Sequence, residues 1–370
     1  MRSKKKNTNF DIVVVGGGPI GIAFACGLAG TKIKIAIVDK LSKNSMSNPK
    51  VDGREIALTQ HSLKILEKLD VWNFVPKKLI SAIKEARVLD GNSKYFLNFD
   101  HSEIKKECLG YIVPNYLIRK SLFKRLKNLK NVTVINNNEC LSVNVSKKYA
   151  TLKMSKGGPI KTSLVIAADS RFSKMRSKMG ISAFTRNFDK NMIVCRMKHE
   201  KSHKNIAYEF FRYNQTQATL PYIKNQSGIV TTADKSLTSD LMKMNKRKFN
   251  NEKENNFKNF FGKMKLVGKR YTYPMITTYT KKFISHRFAL IGDAAVGMHP
   301  VTAHGFNLGL KGLDILIDEI KAAKKNKIDI GLTNVLENYQ SKLRRATAPI
   351  YFTTNSIINL YTSNILPAKL

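Results

Sequence analysis

Residues 10–22 of the chain read FDIVVVGGGPIGI, and this segment decides the fold. Its β-branched run, residues 12–15, predicts a short buried strand. Gly16, Gly18 and Gly21 follow in G-x-G-x-x-G spacing, just before a helical period begins. Such spacing permits a tight turn, close approach of the backbone to a pyrophosphate, and close packing of helix on strand. Anionic phosphates would then meet free N–H groups at the positive end of the helix dipole.

An acidic residue follows the next predicted strand. Residues 34–38 form this strand, and Asp39 and Lys40 come directly after it. A carboxylate about 20 residues after the glycines is well placed to accept hydrogen bonds from ribose hydroxyls. The alternative is a glycine-rich turn that binds nothing. The order strand, glycines, helix, strand and acid favours a dinucleotide site.

The chain is strongly basic. It has 65 Lys and Arg against 26 Asp and Glu, a formal net charge of +39 over 370 residues. Charge of this size can indicate a nucleic-acid or membrane partner, or a compositional bias on solvated faces. The basic residues are spread along the chain, without blocks interleaved with aromatic side chains, so no nucleic-acid partner is predicted. Compositional bias and attraction to an anionic membrane or acidic partner both stay open.

Four cysteines, Cys26, Cys108, Cys140 and Cys195, lie far apart in the sequence. Because they form no C-x-x-C pair, they argue against a zinc site and against a disulfide framework. The apolar run after residues 1–9 is too short for a signal peptide, and no apolar stretch is long enough to cross a bilayer. The sequence predicts a cytoplasmic protein, either free or peripheral to the inner membrane.

Two further buried strands are predicted to end beside acidic residues. Residues 163–167 lead to Asp169, and residues 287–291 lead to Gly292 and Asp293. In an open α/β sheet, ligands bind at the carboxyl ends of the strands. A Pro- and Gly-rich entry to a long helix follows the second of them. Free N–H groups at that helix start could stabilise negative charge on a bound ring.

Two histidines, His299 and His304, lie in this helix entry. No third ligand stands nearby at metal spacing, so no metal site is predicted. His304 is either a neutral hydrogen-bonding group near a cofactor or an ordinary loop histidine.

The character of the sequence changes twice along the chain. Residues 83–104 predict a hairpin, and residues 186–278 predict aromatic-rich strands separated by turns. Both are assigned to an inserted antiparallel sheet, which would form a separate substrate domain. The α/β pattern covers residues 1–82, 105–185 and 279–348, and residues 349–370 form a C-terminal tail.

Three motifs in this order resemble those of the class A flavoprotein monooxygenases, the aromatic hydroxylases built like p-hydroxybenzoate hydroxylase. The motifs are residues 16–21 with Asp39, residues 168–171, and residues 292–307. Within this class the sequence is most similar to the ubiquinone-biosynthesis hydroxylases. Residues 52–58 and 298–310 particularly resemble the demethoxyubiquinol hydroxylase branch. The resemblance implies an α/β fold, with a Rossmann-like FAD-binding domain and the inserted antiparallel sheet as substrate domain.

The resemblance also implies residue roles. The implied cofactor contacts are Gly16, Gly18, Pro19, Gly21, Asp39, Lys40, Arg54, Arg119, Asp169, Gly292, Asp293, Pro300, Gly305, Phe306 and Asn307. The implied substrate contacts are Phe211, Leu220 and Pro221. The chain departs from the family pattern in two places. Ser170 replaces the usual Gly after Asp169, and Ala303-His304 stands where relatives often have Gly-Gln.

The implied reaction is hydroxylation of the aromatic ring of a polyprenylated ubiquinone precursor, a phenol or quinol. O₂ and reduced FAD would form a flavin C4a-hydroperoxide, with NAD(P)H as a transient reductant. Because the flavin carries the chemistry, no catalytic side chain is assigned beyond His304 as a pocket candidate. The partners implied are a membrane surface or a ubiquinone-biosynthesis complex. Two alternatives stay open: a hydroxylase of a small soluble phenol, and a catalytically idle flavin-bound subunit.

Overall fold

The computed structural model describes residues 9–90, 96–212, 215–299 and 304–362. Its strands are β1 (Asn9–Val15), β2 (Ile35–Val38), β3 (Glu55–Thr59), β4 (Ser81–Ile83), β5 (Glu85–Asp90), β6 (Phe96–Asp100), β7 (Gly110–Pro114), β8 (Val132–Ile135), β9 (Cys140–Val145), β10 (Ala150–Met154), β11 (Ile160–Ala167), β12 (Ala183–His199), β13 (Ile206–Arg212), β14 (Gln215–Pro221), β15 (Gln226–Asp234), β16 (Met264–Thr280), β17 (Ile284–Ser285), β18 (Phe288–Leu290) and β19 (Val296–Gly297). Its α-helices are α1 (Pro19–Gly27), α2 (Lys43–Ser47), α3 (Gln60–Lys68), α4 (Asn115–Leu126), α5 (Lys174–Lys178), α6 (Lys235–Lys243), α7 (Lys246–Phe261), α8 (His304–Lys325) and α9 (Thr333–Thr362).

A largely parallel sheet organises the α/β half of the molecule. Its order is β17-β18-β11-β1-β2-β8, with the antiparallel pair β9-β10 attached to β11. The five strands from β18 to β8 run parallel to one another. Parallel strands are covered on both faces and therefore read as continuous apolar runs. Ile12, Val13 and Val14 accordingly have no exposed surface, and they share one apolar core with residues of α1, α4 and α8.

An antiparallel sheet forms the second half. Its order is β19-β16-β12-β15-β14-β13-β5-β6. One face is covered by α6 and α7; α7 contributes Phe249, Phe257 and Phe261 to an apolar cluster, and α6 contributes Leu241. The opposite face is turned toward the α/β half, where Val194 and Tyr271 pack against Gly53.

The strands of this second sheet come mainly from residues 85–100 and 183–280, close to the predicted insertions. The short strand β19 also belongs to it, although the sequence pattern assigned that segment to the α/β half. Val296 and Gly297 pair with Tyr279 and Thr278 of β16, so backbone hydrogen bonds recruit them. The predicted domain boundaries themselves stay predictions.

A third sheet, β3-β7-β4, contacts both halves. Glu55 of β3 accepts from the Arg196 guanidinium of β12, with an Nη2–Oε1 distance of 2.5 Å. The last helix, α9, also spans the two halves, and its Tyr351 hydroxyl donates to Thr277 Oγ1 at 3.2 Å. Within the described ranges, each helix is either too short or too polar to cross a bilayer.

Candidate functional site

The carboxyl ends of four parallel strands lie side by side. Val15 of β1 is in register with Val38 of β2 and with Ala167 of β11, and Ala167 is in register with Leu290 of β18. The three predicted motifs directly follow these residues. They therefore meet along one edge of the parallel sheet, which we call the strand-end edge (residues 16–21, 39, 168–171 and 292–293). The prediction that these strand ends converge is confirmed.

The glycine loop at this edge leaves a helix start open. Gly16 has a φ of +110°, and a Cβ there would press on the carbonyl group of Ala168. A Cβ at Gly21 would press on the Gly16 carbonyl oxygen. Gly18 faces open space and is the N-cap of α1, with no side chain capping the helix. The first N–H groups of α1 are thus free of side-chain caps, which fits a bound pyrophosphate.

Asp39 is held beside this loop. One carboxylate oxygen accepts from the Gly17 N–H at 2.6 Å, and the other accepts from the Leu41 N–H at 2.7 Å. Each oxygen keeps a lone pair for a further donor such as a ribose hydroxyl. The neighbouring Lys40 is exposed.

Asp169 organises the turn after β11. Its carboxylate accepts from the Ser173 hydroxyl at 2.5 Å and from the Met175 N–H at 3.1 Å, which joins it to the start of α5. Ser170, the next residue, has a φ of +91°. A non-glycine residue is strained in this left-handed region.

Two arginines join the second and third motifs, and sequence analysis did not single them out. Arg171 pairs with Asp293 at 2.8 Å and also donates to the Ile276 carbonyl of β16 at 2.5 Å. Arg176 is buried and donates to the carbonyl oxygens of Arg171 and Ala294, both at 3.1 Å. In the sequence, the only signal was the presence of two arginines within seven residues of Asp169. Their contacts become apparent only once the strand ends are placed side by side.

Arg54 lies where the α/β half meets the antiparallel sheet. It pairs with Asp52 at 2.6 Å, and its guanidinium lies 5.4 Å from the centre of the Tyr273 ring. Asn115, the first residue of α4, donates to the same Asp52 carboxylate at 2.7 Å. Arg119 lies one turn further along α4 and is half-buried.

The start of α8 is anchored to β3. The Asn307 amide donates to the Ala57 carbonyl at 2.9 Å and accepts from the Thr59 N–H at 3.1 Å. His304, Gly305 and Phe306 precede it in the first turn and are half-buried. Burial lowers the pKa of His304, so its imidazole is neutral near pH 7. Pro300 and Ala303 lie outside the described residues.

A cavity of about 240 Å³ opens between the antiparallel sheet and the segment before α8. Its lining consists of Arg186, Asn187, Phe188, Asp189, Lys190, Phe211, Gln215, Thr216, Thr232 and His299. Of the three predicted substrate contacts, the structure places Phe211 on this cavity. Leu220 and Pro221 lie at the far end of β14, where Leu220 packs beside Tyr222. The three residues are therefore not brought together.

His299 was considered only as a metal ligand, yet it lines the cavity. Its ring meets the edge of Phe188 with centroids 5.1 Å apart. Burial, assisted by the positive charges of Arg171, Arg186 and Lys190, lowers the pKa of His299 to about 3. The imidazole therefore stays neutral at ordinary pH. The cavity thus combines two cationic side chains with one acidic, two aromatic and several neutral polar ones, which suits a ring that carries a hydroxyl group.

Comparisons with known proteins agree with this geometry. Residues 9–346 match the family model described as FAD binding domain. The ubiquinone hydroxylase UbiM of Neisseria meningitidis is 38% identical over 364 residues, covering 97% of this chain and 79% of that protein. The 3-demethoxyubiquinol 3-hydroxylase of Escherichia coli is 24% identical over 337 residues, covering 91% of this chain and 86% of that protein.

A solved structure shows the same fold at low identity. The p-nitrophenol 4-monooxygenase PnpA from Pseudomonas putida superimposes with a TM-score of 0.78 at 16% identity, covering 98% of this chain and 91% of that chain. This likeness confirms the predicted α/β fold with a separate antiparallel sheet. The family match confirms FAD as the cofactor. The chain belongs to the family of FAD-dependent ubiquinone hydroxylases.

Proposed function

We propose that this enzyme hydroxylates the aromatic ring of a polyprenylated ubiquinone precursor, with O₂ as co-substrate and NAD(P)H as a transient reductant. The observation that carries the proposal is the meeting of three motifs at one strand-end edge, beside a ring-sized cavity. The similarity to a ubiquinone hydroxylase supports the substrate class. That the substrate carries a polyprenyl chain and that NAD(P)H is the reductant are further proposals, which this similarity does not cover.

The strand-end edge would hold the cofactor along its length. We assign the pyrophosphate to the free start of α1 and the adenosine end to Asp39. Arg54, at the junction of the two halves, and the first turn of α8 would contact the flavin end. The complete proposed set is Gly16, Gly18, Pro19, Gly21, Asp39, Lys40, Arg54, Arg119, Asp169, Gly292, Asp293, Pro300, Gly305, Phe306 and Asn307.

Reduced FAD, when bound, would activate O₂ and supply the oxygen atom that enters the ring. The protein supplies orientation, charge stabilisation and a site from which water is excluded. With the flavin bound at the start of α8, the free N–H groups of this helix start would stabilise negative charge on the cofactor ring. Asn307 maintains that direction because both ends of its amide are bonded to β3. His304 is the pocket residue proposed to hydrogen bond as a neutral imidazole.

The cavity would hold the substrate ring. A volume of about 240 Å³ accommodates a substituted ring and little of an isoprenoid chain. Arg186 and Lys190 belong to the lining together with Asp189, and an ionised ring hydroxyl beside either cation would be stabilised. Phe211 is the predicted substrate contact that the cavity supports, and Leu220 and Pro221 stay predictions.

NAD(P)H has no second glycine motif to hold it, so we propose transient binding near Asp169. Ser170, with its φ of +91°, alters the turn that the reductant would approach. We therefore expect Ser in place of Gly to affect the binding of NAD(P)H more than the binding of FAD.

A membrane-bound substrate would make the surface charge useful. The net charge of +39 would attract an anionic lipid surface, at about 1 kcal/mol for each well-placed cation. Co-sedimentation with vesicles containing anionic lipid should therefore be strong at low salt and lost at high salt. Equal sedimentation with neutral vesicles would contradict peripheral attachment.

Membership of a ubiquinone-biosynthesis complex is a further proposal, and pull-down of a second ubiquinone-synthesis enzyme would support it.

The branch within the family bears on the position of hydroxylation. Identity to the Neisseria ubiquinone hydroxylase is 38%, against 24% to the Escherichia coli 3-demethoxyubiquinol 3-hydroxylase. The sequence likeness of residues 52–58 and 298–310 to the demethoxyubiquinol branch stays a prediction. We assign no ring carbon.

Quinone profiling tests the function. A host that lacks one ubiquinone hydroxylase should regain ubiquinone when complemented with this chain, and its accumulated precursor should disappear. The matched control is Gly21→Val, which should abolish rescue. If no hydroxylase-deficient host is rescued, the purified FAD-loaded protein distinguishes the alternatives. Substrate-dependent consumption of O₂ with a small phenol would indicate a soluble substrate, and no consumption at all would indicate an idle flavin-bound subunit.

A further inference from the structure

One acidic residue lies on the cavity side of the antiparallel sheet, next to the cavity itself. Phe211 and Thr216 line the cavity and are directly paired across β13 and β14. Glu209 and Ala218 are the next pair on the same face. Side chains two residues apart on a strand point to the same face, with about 7 Å between their Cα atoms. Glu209 therefore lies one step along the wall from Phe211.

The rest of this row is apolar. Ala218 is in register with Val230 of β15, and Val230 with Val194 of β12. Val194 in turn is in register with Tyr271 of β16, which packs against Gly53 of the α/β half. The row thus runs from Glu209 across the sheet to the segment that precedes Arg54.

The Glu209 carboxyl has no partner within the described part of the chain, either as an ion pair or as a hydrogen bond. Burial alone raises its pKa to about 8, and no neighbouring charge contributes. By surface area, however, the side chain is only half-buried. The side chain therefore keeps some accessible surface, one residue pair along β13 from the cavity lining.

The charged groups around Glu209 are few. On β5, Arg87 and Glu85 act on Tyr208, which faces the opposite side of the sheet. The long helix α9 contacts β13, and its residues 346–362 carry no charged side chain. The charged and titratable side chains that line the cavity are Arg186, Asp189, Lys190 and His299. Glu209 lies one residue pair along β13 from this lining.

We propose that Glu209 is the catalytic base that takes the proton from the ring hydroxyl of the substrate. The inference rests on the proposed function. The O–H bond of the phenol breaks, its proton moves to a carboxylate oxygen of Glu209, and the electron pair stays on the phenolic oxygen. That pair is delocalised into the ring and makes its carbons more nucleophilic toward the incoming oxygen atom. The step involves no oxidation or reduction, and the proton later leaves to solvent.

A role as base would explain why the protein keeps a carboxyl group that reduces the stability of the fold. An unpaired carboxyl in an apolar wall destabilises the fold when it is ionised. A general base is most effective when its pKa lies near the operating pH, and the buried Glu209 satisfies that condition. Because no described residue bonds to the carboxyl, it is available to a substrate hydroxyl.

The test compares Glu209→Gln with wild type and with Glu103→Gln, an exposed glutamate far along the sequence from the cavity. All three are loaded with FAD and checked for equal flavin content and thermal unfolding. The probe is 4-nitrophenol, whose ionised form absorbs in the visible. Difference spectra at pH 6 to 9 should show ionised probe bound to wild type and to Glu103→Gln. At about pH 6, where the free probe is mostly neutral, Glu209→Gln should bind the probe in its neutral form, and near pH 9 the spectra of all three proteins should converge because the probe ionises in solution.

Turnover of a ubiquinone-precursor phenol supplies a second readout. Glu209→Gln should lower kcat by about 100-fold or more, with KM nearly unchanged, and the loss should shrink as pH rises because the phenol then ionises in solution. Glu209→Asp should recover part of the activity. Equal probe ionisation and an unchanged pH–rate profile in Glu209→Gln would overturn the assignment of Glu209 alone. Wild type that turns over no phenol would overturn the proposed function, and the inference with it.

Discussion

The strand-end edge and the cavity face of the antiparallel sheet use different parts of the chain to form one site. At the strand-end edge, glycines such as Gly16 and Gly18 and free backbone N–H groups line the start of α1, with the carboxylate of Asp39 held beside them. On the cavity face, alternate side chains of neighbouring strands make the surface, from Phe211 to Met192. The first surface tolerates few residue types, whereas the second accepts any side chain that fills the space.

This difference explains how one fold can serve many substrates. A cofactor held by backbone requires the same turn and the same glycines whatever the substrate. A sheet face can change its lining one residue at a time without altering the ladder that supports it. The contrast predicts that substitutions at the strand-end edge disturb the fold and FAD binding together. Substitutions on the cavity face should change chemistry while leaving the fold intact.

Gly16→Val should break the strand-end edge most severely. Its φ of +110° strains any branched side chain, and the new Cβ would press on Ala168. Strain and overpacking together should cost about 3 kcal/mol or more. The purified variant should lack the flavin absorbance of wild type. Gly158→Val is the control, because a Cβ at Gly158 meets no atom within 4 Å, and it should keep its FAD. Full flavin content in Gly16→Val would refute a backbone-built site.

Arg176→Met tests whether side chains also hold this edge together. The buried guanidinium donates to the carbonyl oxygens of Arg171 and Ala294, which would lose their donors. Urea unfolding should show a loss of about 1–3 kcal/mol. Lys174→Met, two residues away, removes only an exposed pair with Glu139 and should change stability by less than about 0.5 kcal/mol. Equal effects of the two variants would mean that the edge needs no side-chain bridge.

The pH dependence of stability in His299→Gln tests whether His299 is buried where the two regions meet. The pKa of His299 is about 3 in the folded protein, against 6.5 as its usual value. The unfolded chain therefore binds more protons between these values, and stability is lost as pH falls below 6.5. The loss from this group should approach about 1.4 kcal/mol per pH unit. Unfolding of His299→Gln from pH 7 to 4 should show a shallower decline. The exposed His61→Gln should leave the wild-type slope, and two identical slopes would contradict burial of His299.

Ser170→Gly should change the free energy of unfolding least among these variants, and it should raise it rather than lower it. Ser170 has a φ of +91°, which glycine adopts without strain. Relief of strain, offset by the entropy of the more flexible glycine, should stabilise the protein by about 0.5 kcal/mol. Ser177→Gly in α5 should instead destabilise it by about 0.5–1 kcal/mol, because its backbone is helical. Thermal unfolding of both variants supplies the measurement. A less stable Ser170→Gly would show that the serine contributes something other than strain.

The strand-end edge was largely predictable from the sequence. Residues 12–15, the glycine spacing and Asp39 each carry a local signal, and parallel strands place their carboxyl ends together by geometry alone. The order of the motifs along the chain was enough to predict that they meet. Even here the bridge through Arg176 was not visible, because its two carbonyl partners come from segments that are far apart in sequence.

For the cavity face, the sequence predicted the type of sheet but not which side chains face the cavity. Aromatic-rich strands indicated an antiparallel sheet, but the side of the sheet on which each residue lies depends on register and on which face α6 and α7 cover. A shift of one residue would have buried Glu209 against α7 and turned Phe210 toward the cavity. The separation of Phe211 from Leu220 likewise follows from the length of β14 and from the position of the cavity at one end of it.

The sequence by itself determined the cofactor class, the parallel sheet and the existence of a second sheet, because glycine spacing and apolar periodicity act through local backbone geometry. Tertiary structure alone decided that Glu209 lies beside the cavity, which arginines join the motifs and where a ring can lie. Those outcomes depend on strand register and on contacts between segments that are distant in sequence, such as Arg176 with Ala294, and no local pattern specifies them.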